Sequence, residues 1–224
     1  MKRPCQTLAT KTFATKALNS LLTVCGLLLM IVLLYQSIAS FAMNPDNYPV
    51  KNDQAFASMA EELTQYLSGR RPSLSSRFTE QEAAHMVDVL HLFQLGKRVS
   101  ISAAVLLLIA VFFVWRGKVP GFWFIKQLQM GMGLFFVFTF LLAAWAAIDF
   151  NGWFIIMHKI AFSNDLWLLD PRESMLIQML PVDFFMRAVR SILVRFLAYA
   201  AIVTMLTVLI RKMPKRGGRS NASP

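Results

Sequence analysis

The sequence predicts an all-α integral membrane protein: four transmembrane helices with a small extracytoplasmic cap formed by the two long outward segments. The chain has 224 residues, of which 56% are hydrophobic and only 16% are charged. Soluble domains carry about 25% charged residues, so the composition argues against a soluble enzyme. Four apolar stretches approach or exceed the roughly 20 helical residues that cross a bilayer core of about 30 Å. The third observation is that the acidic residues are confined to the two long connections and their edges, whereas the tails and the short loop are purely basic.

The spans and connections alternate along the chain. The predicted order is a cytoplasmic tail (1–17), span one (18–43), an extracytoplasmic segment with His85 (44–98), span two (99–115), a cytoplasmic loop (116–127), span three (128–148), an extracytoplasmic segment with His158 (149–187), span four (188–210) and a cytoplasmic tail (211–224). A cleavable signal peptide is the competing interpretation of the first span, because Ala39 and Ala42 resemble a cleavage site. Its apolar run is longer than the usual 7–15 residues of such a peptide, about 25 in all.

The charge distribution predicts the orientation. The two tails and the short middle loop contain 12 basic residues and no acid, whereas all 12 acids lie in or beside the two long connections. By the positive-inside rule, both termini face the cytoplasm and both long segments face outward. The net charge of +11 therefore reports topology, and the scattered basic residues do not predict nucleic-acid binding.

The outward segments contain no cysteine, because Cys5 lies in the first tail and Cys25 in the first span. This excludes an outward disulfide and a thiol oxidase with outward cysteine pairs. The first outward segment predicts a helix over 53–67 and a second helix that begins after Thr79, where Thr79 and Glu82 have the spacing of a capping box. The second outward segment alternates polar turns with apolar runs, and its tryptophans favour the membrane interface.

Candidate catalytic residues lie on the second of these helices. Glu82, His85 and Asp88 have the spacing i, i+3, i+6, which places both carboxylates within a turn of the imidazole. A neighbouring carboxylate would orient His85 and raise its basicity, as suits a general base. The competing interpretation is a solvated polar stripe in which Glu82 only caps the helix. His158 is the only histidine of the second outward segment, and His91 lies on another helix face as a surface or interface residue.

Three arginines, Arg187, Arg190 and Arg195, lie around the start of span four. Arg195 is about one turn inside the apolar run, where an unpaired charge costs a few kcal/mol. Snorkelling to lipid phosphates and recognition of a substrate phosphate or carboxylate both account for these side chains.

Two stretches resemble a known family. EQEAAHMVDV in the first outward segment and MHKIAFSNDLWLLDPRESMLIQMLPVDFF in the second are similar to the lipoprotein intramolecular transacylases, the Lit family. The resemblance covers the whole order of spans and outward histidines, and it implies that His85 and His158 form the catalytic pair. It implies transfer of the sn-2 acyl chain of a diacylglyceryl-cysteine lipoprotein to the α-amino group of the same cysteine, which gives an N-acyl lyso-form lipoprotein.

The implied substrate is a diacylated lipoprotein in the outer leaflet, among membrane lipids, and the implied enzyme is an O-to-N acyltransferase without a cofactor. Asn164, Asp165, Trp167 and the span-four arginines are candidates for orienting the substrate or stabilising an oxyanion. Either histidine fits the role of base, and an acyl-histidine intermediate is also compatible. A metal site built from both histidines and Asp165 is the lesser reading, because no close ligand spacing supports it.

Two other functions remain open from the residues. One is a non-enzymatic membrane assembly or transport subunit that uses its cap to bind a partner. The other is a phospholipid acyltransferase or lipase that uses the same histidine pair.

Overall fold

The computed structural model describes residues 4–48, 54–117 and 119–212, and side chains are described for residue 16 and for 18–48, 54–117 and 119–211. Throughout these ranges the regular structure is helical, and no strand occurs. Most of the last predicted tail and the residues around Pro49 lie outside the described part of the chain.

Seven α-helices follow one another in the described residues. They are α1 (Pro4–Ala42), α2 (Gln54–Leu67), α3 (Glu80–Trp115), α4 (Gly121–Ile148), α5 (Phe150–Ala161), α6 (Met175–Met179) and α7 (Val182–Lys212), with a short 3₁₀ turn at Pro45–Asn47 after α1. The helix predicted for 53–67 is confirmed as α2. The predicted capping box is also confirmed, since the Thr79 side chain accepts from the Glu82 backbone N–H and the Glu82 carboxylate accepts from the Thr79 backbone N–H.

Within the part of the chain that the structure describes, four helices are long and apolar enough to cross a membrane. They are Leu18–Ala42 within α1, α3, α4 and Val182–Arg211 within α7. The protein is therefore a multi-pass membrane protein with an all-helical fold. At 36 residues, α3 is about 54 Å long, well beyond the apolar core of a bilayer. All its charged residues precede Val99, so its first half extends out of the apolar layer and carries His85 about 20 Å beyond Val99.

The polar turns of the second long connection become helix caps. The Asp149 carboxylate accepts a hydrogen bond from the Gly152 backbone N–H at the start of α5. The Ser174 hydroxyl accepts one from the Ile177 backbone N–H at the start of α6. Each cap satisfies a backbone donor that the first helical turn leaves free. Short polar motifs in an apolar sequence thus divide this connection into two helices.

Two apolar clusters hold the fold together. The first, which we call the connection cluster, joins the end of α1, helix α2, the first turns of α3 and helix α6 to the start of α7; its most buried members are Met59, Ala60, Leu63 and Met179. The second, the bundle cluster, lies between α1, α4 and α7 around Met30, Phe196 and Ala200. The connection cluster brings the two long segments together at one end of the bundle, and this packing positions the site.

Candidate active site

His85 and His158 come from the two long connections and meet at the surface of the connection cluster. His85 lies in the second turn of α3 and His158 in the last turn of α5. Their ring centroids are 6.3 Å apart. The residues are 7% and 9% exposed, so both imidazoles are largely shielded from solvent. The pair that the sequence singles out is therefore a spatial pair.

Aromatic rings surround the two imidazoles. The ring of Phe154 lies 4.0 Å from that of His158, and the indole of Trp167 lies 5.0 Å from it. Phe162 contacts both histidines, with centroid distances of 5.1 Å to His85 and 5.7 Å to His158. Phe154 and Phe162 are spaced four residues before and after His158, so one helix face and its C-cap build most of this enclosure. The rings that contact the two imidazoles are therefore aromatic and apolar.

A backbone contact sets the tautomer of His158. Its Nδ1 lies 2.8 Å from the Phe154 carbonyl oxygen. Because a carbonyl only accepts hydrogen bonds, Nδ1 carries the proton and Nε2 of the neutral ring keeps its lone pair. His85 differs, because its buried Nδ1 has no hydrogen-bond partner within the part of the chain that the structure describes. His158 is therefore held in a single tautomer, whereas Nδ1 of His85 is available for a hydrogen bond to a bound molecule.

Burial lowers the pKa of both histidines, because an apolar environment disfavours the charged ring. The proximity of His158 lowers the pKa of His85 further, whereas the Asp88 carboxylate raises it to a smaller extent. At His158 the hydrogen bond to the Phe154 carbonyl opposes the effect of burial. Both imidazoles are accordingly neutral at pH 7, which is the form that can accept a proton.

Glu82 is fully buried and joins the two connections. One carboxylate oxygen accepts from the Ser174 hydroxyl at 2.6 Å and from the Leu176 backbone N–H at 2.7 Å. The other oxygen accepts from the Thr79 backbone N–H at 2.7 Å. The carboxylate thus has three donors of its own and no hydrogen bond to His85. It fixes the first turn of α3, and with it His85, against α6.

Further hydrogen bonds tie α3 to the loop that follows α5. The Asn164 amide donates to the Asp88 carboxylate at 2.9 Å. The Gln81 amide donates to the backbone carbonyls of Leu166 and Leu168, at 3.2 and 3.1 Å. These two carbonyls flank Trp167, whose indole covers His158. The loop and its indole are therefore held by the same helix that carries His85.

The family model of the lipoprotein intramolecular transacylase Lit matches residues 12–185 of this chain. The chain belongs to the Lit family. It is thus a membrane-integral acyltransferase of lipoprotein maturation. Among curated proteins, none matches the sequence significantly.

Solved structures show the same fold. The chain is similar to the membrane-integral lipoprotein intramolecular transacylase Lit from Bacillus cereus, with a TM-score of 0.73 and 22% identity over 89% of this chain and 100% of that one. Two variants of the Bacillus cereus protein, with a histidine replaced by arginine or by alanine, give TM-scores of 0.71 and 0.70 at 20% identity. They cover 91% and 90% of this chain, and 96% and 97% of theirs.

Other residues expected at the site lie in different surroundings in this Lit-family protein. Asp165 is exposed on the loop beside Asn164. Arg187 and Arg190 are exposed on the first turns of α7. Arg195 turns toward α1, where its guanidinium donates to the Ser40 hydroxyl at 3.3 Å and lies 5.7 Å from the Phe41 ring centroid. The structure thus groups the histidines with Asp88, Asn164 and Trp167, and it leaves the arginines outside this group.

Three residues of the site escaped the sequence analysis. Phe154 supplies the carbonyl that sets the His158 tautomer, and its position four residues before His158 was the available signal. Gln81 and Ser174 act through hydrogen bonds between the two connections. Pairing across more than 80 residues has no local signature, so only the tertiary structure reveals it. Among the described residues, no group of three or more His, Cys, Asp or Glu side chains could hold a metal ion.

Proposed function

We propose that His85 and His158 catalyse transfer of the sn-2 acyl chain of a diacylglyceryl-cysteine lipoprotein to the α-amino group of the same cysteine. The product is an N-acyl lyso-form lipoprotein. The observation that carries this proposal is the meeting of two buried imidazoles from separate connections, with ring centroids 6.3 Å apart, in a transacylase of the Lit family. Each can reach a reacting group placed between them through one hydrogen bond of about 2.6–3.2 Å.

The reaction needs a base because the attacking nitrogen must lose a proton. An α-amino group has a pKa of about 8 and is mostly protonated at pH 7. The ammonium first loses one proton to solvent, and the neutral amine then attacks the sn-2 carbonyl carbon; as the new N–C bond forms, a second proton passes from nitrogen to a base. The fixed tautomer of His158 leaves Nε2 with a free lone pair, which supports His158 as this base. This reverses the roles that the neighbouring carboxylates suggest, since Glu82 is engaged elsewhere.

His85 suits the second half of the reaction. When the tetrahedral intermediate collapses, the ester C–O bond breaks and the glyceryl oxygen takes up a proton. The one N–H of neutral His85 donates a hydrogen bond to the oxyanion and keeps its proton. His158, which took the amine proton on Nε2, gives that proton to the leaving glyceryl oxygen, so both imidazoles end in their neutral state.

The enzyme supplies little beyond positioning and proton transfer. Amine and ester belong to one substrate molecule, so correct placement acts as a high effective molarity, which is worth roughly 7–11 kcal/mol in favourable cases. The aromatic enclosure excludes water, the competing nucleophile that would hydrolyse the ester. Trp167 and Phe162 form part of this enclosure, and Asn164 holds the loop that carries them.

The site belongs on the outer face of the bacterial cell membrane. Twelve basic residues and no acid lie in the tails and the short loop, which supports a cytoplasmic location for both termini. The two long connections then form an extracytoplasmic cap that meets a lipoprotein anchored in the outer leaflet. An alkaline phosphatase fusion after Ser73 is expected to be active, and an inactive but stable fusion would reverse the orientation.

Mass spectrometry of lipoproteins tests the reaction. The protein is expressed in cells whose lipoproteins are diacylated with a free α-amino group, and the N-terminal lipopeptides are sequenced. We expect a species of unchanged total mass in which one acyl chain has moved from glycerol to nitrogen. If the folded, membrane-inserted protein leaves the lipopeptides diacylated on glycerol, the proposed transfer is wrong.

A further inference from the structure

A surface groove of about 760 Å³ runs between α1 and α3, and the end of α2 closes one end of it. Its polar lining includes Tyr35, Gln36 and Ser40 of α1 and Gln94, Lys97 and Ser100 of α3, together with Asn44 and Ser68 near the ends of α1 and α2. His85 does not line it. On α3 the groove occupies a different face from Asp88 and Leu92, which lie toward the loop after α5. The groove is therefore separate from the histidine site.

The polar lining is unusual for helices that cross a membrane. Gln36 is exposed within the Leu18–Ala42 span, and Gln94 is exposed across the groove from it. Lys97 is exposed just before the charge-free half of α3 and forms no ion pair within the described residues. Amide and ammonium groups at this depth are costly unless they have a polar partner. These groups favour a ligand with an anionic group at the membrane boundary.

Ser100 supplies an independent observation. The residue is 8% exposed, and its buried hydroxyl has no hydrogen-bond partner in the described part of the chain. Ser100 follows Lys97 by three residues on the same helix face, about 4.5 Å deeper in the groove. An anionic group at Lys97 and a hydrogen-bond acceptor one helical turn deeper match the order of phosphate and acyl ester in a glycerophospholipid.

We propose that the groove between α1 and α3 binds one anionic glycerophospholipid. Its phosphate contacts Lys97 and the amides of Gln36 and Gln94, because an ammonium and amide N–H groups are phosphate donors. An ester carbonyl accepts from the Ser100 hydroxyl. One acyl chain lies along the apolar floor between the helices, where Ile101 and Val32 form the deep end. This lipid joins α1 to the helix that carries His85, without entering the reaction.

Native mass spectrometry of the purified full-length protein tests the proposal. Phosphatidylglycerol and phosphatidylcholine of the same chain length are titrated in parallel. We expect one molecule of phosphatidylglycerol to bind, with a preference of about fivefold over phosphatidylcholine, as one lysine at a membrane surface provides. Lys97→Gln should remove this preference. Arg98→Gln is the matched control, because Arg98 is exposed at the same depth but does not line the groove, and it should keep the preference.

Further arms distinguish the source of the ligand. Ser100→Ala should weaken binding of both phospholipids, and unchanged binding would contradict the ester contact. Glycerol phosphate without acyl chains should not displace phosphatidylglycerol, and displacement would show a simple phosphate site. A diacylated lipopeptide should not displace it either; displacement would make the groove part of the substrate site and overturn the proposal. If Lys97→Gln and Arg98→Gln lose the preference for phosphatidylglycerol equally, the preference comes from general surface charge, and the proposed site is wrong.

Discussion

The two halves of the helix bundle are held together by different physical means. In the half around the bundle cluster, α1 and α4 pack with backbone against backbone, because Gly26 and Gly131 face each other without side chains between them. In the half that carries the histidines, segments far apart in sequence are joined by directed hydrogen bonds to Glu82, Asp88 and the loop around Trp167. In the first half, close backbone contact determines how α1 and α4 lie against each other. The second half sets the positions of the two histidines through hydrogen bonds, and it carries the proposed catalytic pair.

The largest expected effect is loss of transfer on replacing either imidazole. His85→Gln and His158→Gln should each lower the rate by about 10²–10⁴-fold, the usual contribution of a positioned acid or base. The rate is measured by the appearance of N-acyl lipopeptide in membranes that contain equal amounts of folded protein. His91→Gln is the matched control, since His91 is exposed on α3 and lies outside the imidazole pair. Full activity in either test variant would remove that histidine from the mechanism.

The packing of α1 against α4 should be sensitive to the size of the side chain at position 26. A Cβ at Gly26 would clash with the backbone oxygen of Leu128, and neither helix backbone can move aside cheaply. Gly26→Val should therefore destabilise the protein by about 3 kcal/mol, the upper range for overpacking. Thermal unfolding in detergent measures this, with Gly133→Ala as the control, because a Cβ there meets no atom within 4 Å. Equal melting temperatures for the two variants would contradict the backbone contact.

The half of the bundle that carries the histidines should be destabilised by the loss of a single hydrogen-bond acceptor. Glu82→Gln replaces one of the two carboxylate oxygens by an NH₂ group, which cannot accept from the Ser174 hydroxyl, the Leu176 N–H or the Thr79 N–H. A buried donor left without its partner costs about 1–3 kcal/mol, so we expect a loss of about 2 kcal/mol in stability. Transfer activity should fall together with the amount of folded protein. Unchanged stability would show that Glu82 does not join the two connections.

A smaller effect is expected at Gln81, which positions Trp167 through two backbone carbonyls. Gln81→Leu should lower kcat by about fivefold, because two exposed hydrogen bonds of about 0.5 kcal/mol each are lost. KM and the melting temperature should stay close to those of the unsubstituted protein. Gln65→Leu is the control, since the Gln65 side-chain amide donates to the Glu61 carboxylate within α2. A fall in both variants, or in neither, would contradict a positioning role.

The smallest effect concerns the coupling between the two imidazoles. Burial lowers the pKa of His85 first, and the proximity of His158 lowers it further, so His158→Gln should raise the pKa of His85 without restoring its ordinary value. Nuclear magnetic resonance of the labelled rings measures this change. Because the folded pKa lies below the unfolded value of about 6.5, the stability contribution of the neutral ring is present above pH 6.5 and is lost as the pH falls through the folded pKa. An unchanged His85 pKa would show that the rings do not interact.

The sequence predicted the fold class for clear physical reasons, whereas the histidine pair was implied by the resemblance to the Lit family. Apolar length and charge sorting mark membrane helices along the chain itself, and the capping box at Thr79 is a local pattern. The role of Glu82 could not be predicted, because its partner Ser174 is 92 residues away. The arginines of span four show the converse case. Their charge suggested substrate binding, but helical rotation turns Arg195 toward Ser40 and leaves Arg187 exposed.

The central claim is that the two-histidine site moves an acyl chain within a single lipoprotein molecule, and a crossover measurement tests it most directly. Two synthetic diacylated lipopeptides of different sequence, only one with a deuterated sn-2 chain, are mixed with the purified protein in lipid nanodiscs. Mass spectrometry then locates the label. We predict deuterium only on the α-amino nitrogen of the peptide that carried it, and no transfer with His158→Gln. Deuterated chains on the nitrogen of the other peptide, or unchanged transfer in the variant, would contradict the account.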